Sequence, residues 1–176
     1  MQKGDNMKDF RQLFEKELQD VYNMERQVVK ALPNIIHGVA DGDLKETVSK
    51  HFDESKEQIT RLETVAASLE INLVEKECEP IQALVKEASK ILHASYAREV
   101  KDAALISILQ RVEHYEIAAY GTLRAFACHL KFDQAEKLFN ESIKEEGHAD
   151  KALTRIAEGT LLSNGINQKA CKRKCA

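Results

Sequence analysis

Residues 10–36 read FRQLFEKELQDVYNMERQVVKALPNII. Phe10, Phe14, Leu18, Val21, Val28, Leu32 and Ile35 recur at the three- and four-residue steps that gather side chains on one face of an α-helix. The stretch predicts a first long helix with a single apolar stripe. Glu25 interrupts that stripe four residues after Val21 and three before Val28, where helical geometry turns a side chain inward. An ionised carboxylate buried without a partner costs several kcal/mol or takes up a proton, so Glu25 demands a reason.

Working outward, His37-Gly38-Val39-Ala40-Asp41-Gly42 ends this helix. Asp43, with Glu46 three residues on, reads as a capping box that opens a second long helix to about Leu69. The run INLVEKECEP breaks the pattern again, and Pro80 suits the first turn of a shorter amphipathic helix reaching about Leu92. A third long helix carries Leu105, Leu109, Val112, Ala119, Leu123 and Phe126 and ends near Leu130. Asp133 with Glu136 repeats the capping box and opens a fourth, which fades around Ser163-Asn164-Gly165. Residues 8–163 are therefore expected as one all-α antiparallel four-helix bundle with a short extra helix in the crossover. Residues 164–176 are expected as a basic, flexible tail.

Sliding the chain against itself by 91 positions superimposes Leu18 on Leu109, Val21 on Val112, Glu25 on Glu116, Leu32 on Leu123, Glu54 on Glu145 and Leu62 on Leu153. The two halves read as copies of one helical hairpin, and Glu116 repeats the anomaly of Glu25. Glu25 lies about 16 residues before the middle of the first turn and Glu54 about 13 after it, so at roughly 1.5 Å per residue the two share one depth. Glu116 and Glu145 do the same in the second hairpin. Four carboxylates converging on one layer would raise one another's pKa values unless cations neutralised them, which points to a dinuclear metal centre. Ferritin-like bundles build such centres from a Glu on each of two helices and a Glu-x-x-His on each of the others. Glu145 and His148 match that spacing. The second helix departs from it, because Glu57 stands where histidine is expected. His51, one turn before Glu54, is preferred there, and Glu113, one turn before Glu116, is an additional or exchangeable ligand. Glu57 and Glu146 are assigned to the surface. Tyr22, Tyr115 and Tyr120 lie next to these carboxylates as core filler, or as hydrogen-bond partners of a ligand. His114 is read as a supporting residue, and His37, His93 and His129 as exposed.

Composition narrows the function classes. Glycine (7) and proline (2) are scarce across 176 residues, hydrophobic residues make up 43% and charged residues 31%, which fits long helices in one domain. A net charge of -3 supplies no general attraction to nucleic acid or anionic membrane. No apolar run reaches membrane-spanning length and MQKGDNMKDF lacks a signal-like apolar core, so a cytoplasmic protein is expected. Cys78, Cys128, Cys171 and Cys175 are too dispersed for a zinc ribbon and are read as reduced thiols.

Given ELQDVYNMERQVVKALP, HFDESKEQITRLE, VEHYEIAAYGTL and KEEGHADKALTRIAE, the chain resembles the YciE/YciF-type ferritin-like family over nearly all of residues 8–160. The resemblance implies a four-helix bundle with a short crossover helix, a di-iron site and a dimer. Glu25, His51, Glu54, Glu113, Glu116 and Glu145 match the family's carboxylate and histidine positions, while His148 departs from it. Glu113-x-x-Glu116 also looks like the third-helix motif of rubrerythrins, although rubredoxin-type cysteine pairs are absent.

The functional expectation is a ferritin-like protein holding two iron ions, with manganese as the other candidate. It would oxidise Fe(II) or reduce peroxide or dioxygen during stress. The alternative is a non-catalytic bundle that sequesters metal or serves a structural or interaction role.

Overall fold

The computed structural model describes residues 8–172. Four long helices, α1 (Phe10–Gly38), α2 (Gly42–Ser68), α4 (Arg98–Leu130) and α5 (Asp133–Glu158), pack as an antiparallel bundle, with α3 (Glu79–His93) in the crossover. The polypeptide then makes a hairpin of β1 (Gly159–Thr160) and β2 (Ser163–Asn164) and ends its described part in α6 (Ile166–Lys172). The all-α expectation holds, with this small hairpin added. None of the described helices is long and apolar enough to cross a membrane.

The predicted helix interiors hold, and the caps differ. Asp41, not Asp43, caps α2: its carboxylate accepts the N–H groups of Asp43 and Leu44 at 3.1 and 3.3 Å. Asp133 lies inside the first turn of α5, where it faces the positive end of the helix dipole, and no side chain caps that helix. The fourth long helix stops at Glu158, five residues before the predicted fade. Gly159 has φ +85, and a Cβ on Gly159 or Gly165 would fall within 2.5 Å of the backbone of the opposing segment, so only glycine permits the chain to double back there. The tail expected from residue 164 contains α6, which packs on α4 and α5 with Ile166 buried and Lys169 bonded to Asp41 at 3.2 Å. Cys175 lies outside the described residues.

Two polar devices fix how the elements meet. Between α2 and α3 the chain runs extended along α1, and Gln19 and Asn23 act as its hydrogen-bonding partner. Gln19 exchanges two 2.6 Å bonds with Val74, and Asn23 accepts the N–H of Lys76 at 2.8 Å. This satisfies backbone groups that would otherwise lie unpaired against a helix. At the end of the bundle that holds the α1–α2 turn, Asp102 on α4 is buried and accepts the N–H groups of Ala40 (3.1 Å) and Asp41 (2.8 Å), tying that turn to the start of α4.

Asp102→Ala leaves two inward-facing N–H groups without acceptors, and is expected to cost about 2 kcal/mol of stability. Urea denaturation is expected to show a lower midpoint with an unchanged slope.

Candidate metal centre

The residues facing the bundle axis repeat the 91-residue offset. On α2 they are Leu44, Val48, His51, Ser55, Gln58 and Leu62; on α5 they are Ala135, Phe139, Ser142, Glu146, Ala149 and Leu153. Halfway along these stripes apolar residues give way to polar ones, and the same happens at Glu25 on α1 and at Glu113 and Glu116 on α4. Glu25, Glu116 and Glu146 are 0% exposed, Glu113 is 1% and His51 is 2%.

His51, Glu113, Glu116 and Glu146 each offer a ligand atom, and these atoms lie within 4.8 Å of one another. Nδ1 of His51 is 3.4 Å from Oε2 of Glu146 and 3.7 Å from Oε2 of Glu113, and Nε2 is 3.7 Å from Oε2 of Glu116. These separations are too long for hydrogen bonds. Both ring nitrogens, both oxygens of Glu116, and one oxygen each of Glu25, Glu113 and Glu146 have no hydrogen-bond partner. The remaining oxygens of two carboxylates are anchored: Tyr120 Oη donates to Oε1 of Glu25 at 2.9 Å, and Gln58 Nε2 donates to Oε1 of Glu146. Each anchored carboxylate keeps one unpartnered oxygen.

Burial dominates the electrostatics. It lifts the carboxyls of Glu25, Glu113 and Glu116 well above the ordinary 4.5, and Glu146 adds like-charge repulsion to all three. Glu146 itself is pushed up to about 7, mainly by burial. Burial, with the positive charge of Lys50 added, pushes the His51 imidazole down to about 4. Among the described residues, no lysine or arginine forms an ion pair with these four carboxylates. An imidazole and carboxylates with unsatisfied atoms at one level form a donor set that could hold a metal ion, and their chemistry suits iron or manganese equally.

Of the residues proposed from sequence, His51, Glu113 and Glu116 come together, and Glu25 borders them through its repulsion with Glu116. Glu54, Glu145 and His148 do not join. Glu54 is bonded to Lys50 at 2.6 Å, Glu145 accepts both arms of the Arg61 guanidinium at 2.6 and 2.7 Å, and His148 is exposed. The assignment of Glu146 to the surface is overturned. Counting back seven and eleven residues from Leu153 along the apolar stripe reaches Glu146 and Ser142, and Glu145 is one position off the stripe. That periodicity was the available signal, and the Glu-x-x-His spacing pointed beside it. Glu57 is exposed as expected. Tyr120 bonds a candidate ligand, Tyr22 bonds Glu63 at 3.2 Å instead, and the side chain of His114 is 68% exposed, 3.5 Å from Asp150.

Comparison with known proteins places the chain. Residues 9–170 match the family described as a domain of unknown function, DUF892, and the chain belongs to that family. It is 37% identical over 167 residues to protein YciF of Escherichia coli, covering 94% of this chain and 97% of that one. The crystal structure of that E. coli stress protein superposes with a TM-score of 0.81 at 35% identity, covering 84% of this chain and 94% of the other. YcfI from Rhodopseudomonas palustris, described as a candidate structural protein, superposes at 0.83 with 34% identity, over 88% and 98% of the two chains.

Two outcomes test the centre. A glutamate whose folded pKa is raised stabilises the fold below about 4.5 relative to higher pH, and that contribution is lost as pH climbs through the raised value. His51 acts oppositely, but only between about 4 and 6.5. The metal-free protein is therefore expected to melt about 5 °C or more lower at pH 8 than at pH 6.5, by calorimetry, with Mn(II) restoring the loss at pH 8. In Co(II) titrations, Glu146→Gln is expected to weaken binding about a hundredfold, and Glu145→Gln less than about fivefold. Equal effects would refute the assignment of Glu146 over Glu145.

Proposed function

We propose that this DUF892 protein binds two iron ions within the His51, Glu113, Glu116, Glu146 and Glu25 layer and couples them to oxidation of Fe(II) or reduction of peroxide. The observation that carries the reading is charge. Four carboxylates share a buried layer with no cationic side chain among them, and two divalent ions would cancel their four negative charges. Manganese is the other candidate, because the donors do not discriminate.

An iron pair supplies the two electrons that reduction of a peroxide to water requires, while hard oxygen donors favour the ferric state. The remaining work belongs to the protein. Tyr120 orients Glu25 through Oε1 and Gln58 orients Glu146 through Oε1, so each presents a fixed second oxygen. His51, held neutral by burial, offers a nitrogen lone pair without first losing a proton. Leu18, Leu32, Leu62, Leu123 and Leu153, all essentially sealed from solvent, extend the dry core above and below the layer. The relative from E. coli is called a stress protein, which fits a role against oxidants.

A non-catalytic reading is favoured by the likeness to a protein described as structural. Metal analysis and stopped-flow absorbance separate the two. The catalytic reading expects about two equivalents of iron per chain and, on mixing the Fe(II)-loaded protein with peroxide, a ferric absorbance rising at least about tenfold faster than in a Glu25→Ala/Glu116→Ala variant. Iron bound without that rise would leave sequestration, and a metal-free protein whose melting ignores added iron would leave a structural bundle.

A further inference from the structure

The donor layer is closed to solvent, so a cation has to be handed inward. A groove of about 1110 Å³ runs between α2 and α5, and its wall carries Glu54, Glu57, Arg61, Glu145 and His148. Three of these are the sequence-proposed ligands that the structure leaves outside the buried layer. At the groove's inner side the guanidinium of Arg61 grips both oxygens of Glu145 and also reaches Ser142 Oγ at 3.3 Å. Behind that pair lies Gln58, fully buried, whose Nε2 donates to Glu145 on the groove side (3.0 Å) and to Glu146 in the donor layer. Its Oε1 has no partner. One amide therefore spans the whole distance between groove and layer.

We propose that divalent cations reach the buried donors through the α2–α5 groove, and that the Arg61–Glu145 pair is the gate they pass. The proposal rests on the reading of the layer as a metal site. Glu57 and His148 hold a cation at the surface, joined by Glu54 when the ion displaces Lys50 from it. The cation then competes with Arg61 for the two oxygens of Glu145, a contest in which a divalent charge is favoured over a delocalised monovalent one. Arg61 swings into the groove, and the unpartnered Oε1 of Gln58 offers the next oxygen on the way to Glu146. No covalent bond changes in this transfer. Arg61 is a positioning residue that sets rate, and the buried donors set affinity.

Stopped-flow absorbance of Co(II) uptake, paired with equilibrium Co(II) titration and chelator-driven release, tests this on the full chain. Arg61→Gln is expected to raise uptake and release rates together by about tenfold while the Kd stays within about threefold of wild type. Arg61→Lys, which keeps the charge and loses the fork, is expected to lie between, and carries the test if Arg61→Gln melts at assay temperature. A Glu54→Gln/Glu57→Gln variant is expected to slow uptake and flatten its dependence on ionic strength. Rates in both Arg61 variants equal to wild type would overturn the gate while leaving the metal site standing, as would a change confined to the Kd. Absence of Co(II) binding by the wild-type chain would defeat the metal reading itself.

Discussion

Each carboxylate of the central layer has been taken out of water without receiving a lysine or arginine counter-charge from the described residues. In an apolar interior such a group either binds a proton or needs a cation, and the rest of the bundle is arranged so that neither helix ends nor solvent relieve the demand. Glu25, Glu116 and Glu146 lie mid-helix, far from the positive dipole ends that would favour an anion. Arg61, the nearby guanidinium with the geometry to pair with a carboxylate, is engaged by Glu145. Apolar packing above and below the layer stabilises the fold enough to carry this unfavourable core.

Holding such a layer at one level requires that four helices keep their axial register. The two polar devices outside it act on that register. Asp102 fastens the α1–α2 turn to α4, and Gln19 with Asn23 fastens the extended crossover segment to α1. A slip of one residue would advance a helix by about 1.5 Å and rotate its inward side chain by roughly 100°, enough to remove a donor from the layer. Hydrogen bonds at the α1–α2 turn and on α1 beside Glu25 thus help to hold the geometry of the layer.

Much of the architecture was legible in the sequence because periodicity reports directly on which face of a helix is buried. The break at Gly38 to Gly42, the crossover helix begun by Pro80 and the 91-residue repeat all follow from such patterns. Glu25, His51, Glu113 and Glu116 were readable as polar residues in or beside apolar stripes. Reading failed where a motif was preferred to the stripe: Glu145 and His148 fit a known spacing, yet helical rotation carries Glu145 away from the axis and Glu146 onto it. Local caps failed for another reason, since Asp41 and Asp43 are both plausible acceptors and only backbone direction at the turn selects between them. The place of Gln58 on the inward stripe of α2, four residues before Leu62, was readable, but its bonds to Glu145 and Glu146 on another helix were not.

The 91-residue offset relates Ser55 to Glu146, His51 to Ser142 and Tyr22 to Glu113, so matching places in the two halves hold chemically different groups. The apolar positions keep the repeat, and the polar positions of the layer, Glu25 and Glu116 apart, do not. Because helices from both halves surround a common centre, a donor discarded by one half can be supplied by the other without moving the backbone. If the layer holds a metal, the set of donors around the centre matters to the ion more than which half of the chain supplies each one.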